Sequence, residues 1–190
     1  MNGIRITGGK YKGRKIAAPR GGHARFTSAK VREAVFDLVG SVDGLAVLDL
    51  FAGAGSLAAE ALSRGAASAV AVELDRQTAA LIRNNLKTLE IDKDCLVLNM
   101  DVRYAVSMLY RQGKRFDLIF VDPPYEMGHV AATVELLKKN PICHAPSTVV
   151  FEHSKREEVR VTAEQGYDVK VRKYGDTVLS VVTCGGDAAG

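Results

Sequence analysis

The tetrapeptide Asp122-Pro123-Pro124-Tyr125 carries the most specific chemistry in the chain. It follows the apolar run Asp117–Val121 directly. Two prolines there cannot continue strand pairing, and their fixed φ makes a rigid projecting loop. An acid at the strand end and an aromatic ring three positions on can then face one cavity. Such a pair suits an exocyclic base amine, which is a poor nucleophile because its lone pair is delocalised into the ring. Hydrogen bonds from the amine to the Asp122 carboxylate and the Pro123 carbonyl favour a pyramidal nitrogen, free to attack a methyl carbon in line. The work is then positioning and electrostatics. Tyr125 offers a π-face to the base, worth about 1–3 kcal/mol, and the base must be flipped out or already unpaired.

A second constellation lies upstream. The apolar run Ala46–Phe51 enters Gly53-Ala54-Gly55-Ser56-Leu57-Ala58, a glycine turn that opens a helix. Glycines there let a ligand approach the backbone, and the helix N-terminus presents free N–H groups. Asp49 sits inside the run, a costly place for a charge unless it meets a ligand or loop backbone. Glu73 closes the next run, where a Rossmann-type site holds ribose hydroxyls. Asp101 closes the third and can accept from an adenine amine, cap the following helix, or both. Carboxylates at three consecutive strand ends suit a sulfonium nucleoside better than a pyrophosphate, which points to S-adenosylmethionine.

The elements that must position these groups alternate. Strands are predicted over Ala46–Phe51, Ala69–Leu74, Cys95–Met100, Asp117–Val121 and Thr148–Phe151, with helices over Ser56–Arg64, Arg76–Leu89, Val102–Arg111 and His129–Lys139. Near-continuous hydrophobicity marks strands covered on both faces, so the fold class is α/β with a mostly parallel, doubly wound sheet. A last pair, Tyr167–Lys173 and Thr177–Cys184, is joined by Gly175-Asp176 and forms an antiparallel hairpin. That is the sheet expected of class I methyltransferases. Residues 1–44 form a separate extension, with a small hairpin of Arg5–Thr7 and Arg14–Ala17. A helix capped by Thr27 or Ser28 follows, its apolar face being Val31, Val35, Leu38 and Val42. Residues 45–184 form the sheet domain, and 185–190 a disordered tail.

Composition fits one such domain: 190 residues, 25% charged and 47% hydrophobic. No apolar stretch is long enough to span a membrane, and the first residues do not resemble a signal peptide. Three scattered cysteines offer neither a disulfide framework nor a zinc site, and fit a reducing cytoplasm. No metal is expected, and His129 and His153 are expected to be structural. The net charge of +4 divides unevenly, with +7 in residues 1–40 and −3 in the rest. A basic arm suggests a polyanion, with phosphate contacts by Lys10, Lys12, Arg14 and Lys15, and Arg25 and Arg32 closer to the target.

With these residues in place, the chain resembles the RsmD family of bacterial methyltransferases, which act on the N2 amine of a guanine in 16S ribosomal RNA. The resemblance runs through Arg5–Ile16, Val31–Phe36, Leu48–Leu57, Ala61–Ala66 and Val121–Tyr125. It implies cofactor contacts by Asp49, Phe51, Gly53, Gly55, Glu73 and Asp101, with Asp122, Pro123, Pro124 and Tyr125 around the guanine. It further implies a monomeric enzyme acting on 16S ribosomal RNA within a small subunit or assembly intermediate. Arg25–Lys30 departs from the family pattern by lacking its proline and acid, which leaves the RNA contacts of that segment open. Three rivals share parts of the pattern. An adenine N6-methyltransferase could use the same tetrapeptide, and a glutamine methyltransferase typically has Asn in place of Asp122. An RNA-binding assembly factor without catalysis would not need the intact glycine loop.

Overall fold

The computed structural model describes residues 3–19, 28–161 and 167–184. Arg25, Thr27 and the tail 185–190 lie outside them. The main sheet has seven strands: β3 (Ala46–Asp49), β4 (Ser68–Val72), β5 (Cys95–Leu98), β6 (Phe116–Val121), β7 (Cys143–Ser154), β8 (Tyr167–Tyr174) and β9 (Thr177–Cys184). Their order is β5-β4-β3-β6-β7-β9-β8. Strands β3 to β7 pair in parallel, and β9 inserts antiparallel between β7 and β8. The expected parallel sheet with its closing hairpin is therefore present. Val47, Leu48, Leu118 and Ile119 are at most 1% exposed, as strands covered on both faces require.

Helices α1 (Ala29–Val39), α2 (Ser56–Ser63) and α3 (Arg76–Leu89) cover one face. Helices α4 (Val102–Arg111) and α5 (His129–Lys139) cover the other. The winding reverses between β3 and β6, which opens a crevice at their carboxyl ends. Each helix start there is built locally. Asp75 caps α3 by accepting from the Thr78 amide, and Asp101 caps α4 by accepting from the Arg103 amide. The α2 start has no side-chain cap, which leaves its N–H groups facing the crevice.

Several boundaries differ from expectation. The N-terminal hairpin pairs β1 (Gly3–Arg5) with β2 (Lys15–Ala17), so Thr7 falls in its turn. The Thr7 amide and hydroxyl are both taken by the Glu60 carboxylate of α2, at 2.9 and 2.7 Å, and cannot pair across the hairpin. Helix α1 is capped by Ser28 and stops at Gly40 (φ 76°), so Val42 is buried beyond the helix rather than on it. Strand β7 extends past both predicted ends, because Cys143 pairs with Phe116 of β6 and Ser147–Ser154 pair with β9.

The N-terminal extension is not an independent layer. Ile6 and Ile16 are 1% and 2% exposed and join the same apolar cluster as Leu57, Ile82 and Phe120. Glu60, fully buried, also pairs with Arg64 at 3.0 Å. Asn85 of α3 exchanges hydrogen bonds with the Ala17 backbone and donates to the Ala54 carbonyl at 3.0 Å. One side chain thus fixes the hairpin against the glycine turn.

Candidate active site

An open groove of about 2530 Å³ runs along the carboxyl ends of the strands. Small-ligand pockets are typically about 300–1,000 Å³, so this groove has room for more than one small molecule. Its walls include Phe51, Gly53, Glu73, Asp101 and the Asp122–Tyr125 loop. The structure thus brings most of the two constellations into one cavity, while Asp49 and Gly55 lie behind its wall. Gly53 has φ 52° and open space where a Cβ would stand, so any side chain there would project into the groove. Gly55 (φ 76°) packs on Ile82, which a Cβ would meet at 2.9 Å. The first glycine keeps the groove clear, and the second lets α2 start against α3.

Asp49 is 1% exposed and borders the loop from beneath, and neither of its oxygens has a well-formed hydrogen bond. Burial pushes its pKa up to about 7, reinforced by the neighbouring Asp122 and opposed in part by the Ala58 and Phe51 amides. Glu73 lies just past β4, where its carboxylate accepts from the Gly53 amide at 3.0 Å and the Asp75 amide at 2.8 Å. It therefore shapes the glycine turn as well as facing the groove. The Asp101 carboxylate is forked by the Arg103 guanidinium at 2.9 and 3.1 Å, and these bonds hold its pKa below the usual range. The phenyl ring of Phe51 lies 5.9 Å from the imidazole of His129.

In the tetrapeptide loop Pro123 is buried, Pro124 is exposed, and Asp122 and Tyr125 are half-buried. The Tyr125 hydroxyl donates to Glu152 Oε1 at 3.1 Å and lies 3.1 Å from Thr177 Oγ1. Burial pushes its pKa up, so the ring is a neutral plate held by its far edge. Glu126 follows in the left-handed region (φ 61°), with its carboxylate bound by Ser154 and Arg156. That clasp ties the outer turn of the loop to the end of β7.

The basic residues are arranged differently. Lys10, Lys12, Arg14 and Lys15 are exposed on the hairpin but do not line the groove. The open end of the hairpin, with Gly3 and Ala17, reaches the groove; its tip rests on Ser63 and Arg64. Since α2 runs from Ser56 at the groove to Ser63, the tip is roughly 10 Å farther down the molecule. Lys10 and Arg14 flank the Tyr11 ring at 5.2 and 5.4 Å, and Arg14 donates to the Thr88 carbonyl. Arg32 corrects the expectation of an RNA-facing cation. It is 2% exposed, and its Nη2 donates to the Arg5 carbonyl at 2.8 Å. Turned inward beside Glu60 and Glu152, it joins α1 to the hairpin.

Two groove residues, and a third that touches Tyr125 from behind the groove wall, were not legible as site residues. Leu74, 69% exposed, follows Glu73 and supplies an apolar wall. Glu152 ends the apolar run of β7 as Asp122 ends that of β6, a pattern that could have marked it. Thr177 has no local signal, because only the β7–β9 register (Ser154 opposite Thr177) brings it to Tyr125. His153, 3% exposed, is satisfied by the Ser154 carbonyl and Ser180 hydroxyl.

A family model described as Conserved hypothetical protein 95 matches residues 4–183. The Bacillus subtilis protein YlbH is 33% identical over 179 residues, covering 94% of this chain and 97% of its own. "Ribosomal RNA small subunit methyltransferase D" of Escherichia coli is 39% identical over 139 residues, 72% of this chain and 68% of its own. Among solved structures, Escherichia coli yhhF superposes with a TM-score of 0.82 at 30% identity, over 98% of this chain and all of its own. TrmN of Thermus thermophilus, at 21% identity and a TM-score of 0.65 over 81% of this chain and 48% of its own, shares the fold. On the family match and these identities, the chain belongs to the RsmD-type family, described as Conserved hypothetical protein 95.

Proposed function

We propose that this chain is an S-adenosylmethionine-dependent methyltransferase of ribosomal RNA, acting on the exocyclic N2 amine of a guanine in the small-subunit (16S) RNA. The observation that carries this reading is the shared groove: the Asp122–Tyr125 loop and the glycine turn with its acidic rim line one cavity. Relatives named for ribosomal RNA methylation support the substrate class.

The residues present fit a sulfonium nucleoside. Gly53 leaves open space, Glu73 and Asp101 stand at successive strand ends, and the buried Asp49 carboxylate, behind the wall, has no well-formed hydrogen bond. Leu74 and Val102 supply apolar walls beside the two acids. When bound there, the cofactor supplies an electrophilic methyl carbon. Asp122 and the Pro123 carbonyl hold the amine protons of the target base, so its lone pair stays out of the ring system. Tyr125, clasped by Glu152 and Thr177, stacks on the base without having to order on binding.

Replacing Asp122 separates these roles. Asp122→Ala is expected to lower turnover at least 100-fold, the scale of a lost electrostatic partner in the transition state. Cofactor affinity by calorimetry should change less than about threefold. Turnover within a few-fold of the parent would remove Asp122 from the mechanism.

A further inference from the structure

We infer that Glu152 reads the Watson–Crick edge of the target base, accepting the N1–H of guanine while Asp122 holds the adjacent N2 amine. This specificity role rests on the guanine N2 reading proposed above.

The register of the sheet creates the pair. Val121 of β6 lies opposite Phe151 of β7, and both face the α4–α5 core. The next residues on these neighbouring strands, whose backbones lie about 4.8 Å apart, are Asp122, just past the end of β6, and Glu152, still within β7. Strand alternation turns both away from that core, and both line the groove together with Tyr125. Glu152 is 7% exposed, yet it lines that groove. Its burial is compensated by the Arg32 guanidinium nearby on α1. The Tyr125 hydroxyl takes one position on Oε1, and an ionised carboxylate can accept about four hydrogen bonds.

Two carboxylates in a row, when ionised, present acceptors only. Guanine matches them, because its N1–H and N2 amine are adjacent donors. Adenine does not: with its N6 amine on Asp122, the neighbouring N1 would set a lone pair against Glu152. A buried acceptor left facing another acceptor costs binding in full, which is how polar sites reject near-isosteres. Glu152 thus supplies the discrimination that the tetrapeptide lacks, since Asp122 alone accepts any base amine.

The test replaces the target guanine, at its mapped position in a reconstituted small subunit, by 2-aminopurine, which keeps the 2-amine but lacks N1–H. The parent protein should prefer guanine by roughly 10- to 100-fold in kcat/KM, the scale of one good base-edge contact. Glu152→Ala should reduce that preference at least tenfold, and Glu152→Gln, which keeps volume and one acceptor, by an intermediate factor. The preference is a ratio within one protein, so partial misfolding of a variant does not alter it. Cofactor affinity reports the folded state separately. Tyr125→Phe removes the hydroxyl clasp but leaves the carboxylate, and should slow both substrates while keeping the preference. An unchanged preference in both Glu152 variants would overturn the inference and leave Glu152 as a clasp for Tyr125 alone. Absence of N2-methylguanosine from the parent reaction would overturn the guanine N2 reading instead.

Discussion

Asp49 is the residue where stability and the proposed cofactor binding are set against each other. Its folded pKa of about 7 lies above the ordinary value of 3.8. The folded state therefore holds a proton that the unfolded chain gives up, and the associated stability is full below about pH 4 and lost as pH rises through about 7. Melting temperature measured without cofactor should fall between those limits, and Asp49→Asn should flatten the slope and raise stability at pH 8. The same variant should bind the cationic cofactor more weakly, and its affinity should no longer rise with pH. A parent melting temperature that is flat from pH 4 to 8 would contradict this assignment. The strand-end acids Asp49, Glu73, Asp101 and Asp122 were legible because each closes or interrupts an apolar run. Glu152 obeys the same rule without a motif to mark it, and Arg32 was misplaced because a helical sequence does not reveal which of its cations turns inward.

At the scale of elements, the hairpin is held by complementary devices on α2. Glu60 satisfies Thr7, while Gly9 (φ 72°) lies so close to the Ser63 carbonyl that a Cβ would sit 1.8 Å from its oxygen. Gly9→Ala combines a left-handed backbone with overpacking, so it should cost about 2 kcal/mol or more. Urea unfolding reads this directly, and a midpoint equal to the parent's would show that the hairpin is not docked as described. The presence of a hairpin was legible from its glycines and flanking apolar residues. Its limits were not, because Thr7 is removed from the ladder by a carboxylate 53 positions away in sequence. The direction of the tip, away from the groove, is likewise a tertiary fact set by Ser63 and Asn85.

The whole molecule joins a basic flank to an acidic groove. If the hairpin cations hold phosphates outside the groove, their contribution should appear as counterion release rather than as catalysis. Replacing Lys10, Lys12 and Lys15 by Gln should weaken RNA binding and reduce the salt slope by about 0.7–0.9 per lost contact, with cofactor affinity unchanged. A slope identical to the parent's would make this flank an ordinary solvated surface. The parallel sheet and its terminal hairpin could be read from the alternation of apolar runs. Contacts between the ends of β7 and β9 could not: Cys143 and Cys184 looked scattered, yet their thiols are neighbours.

The central claim is that one groove holds both a methyl donor and a guanine amine of small-subunit RNA. Its most direct test is incubation of the protein and labelled S-adenosylmethionine with small subunits from cells lacking the gene, followed by nucleoside mass spectrometry of the digested RNA. The account predicts label in N2-methylguanosine at a single position, lost with Asp122→Ala. Label in N6-methyladenosine, or none in RNA while the cofactor still binds, would contradict it.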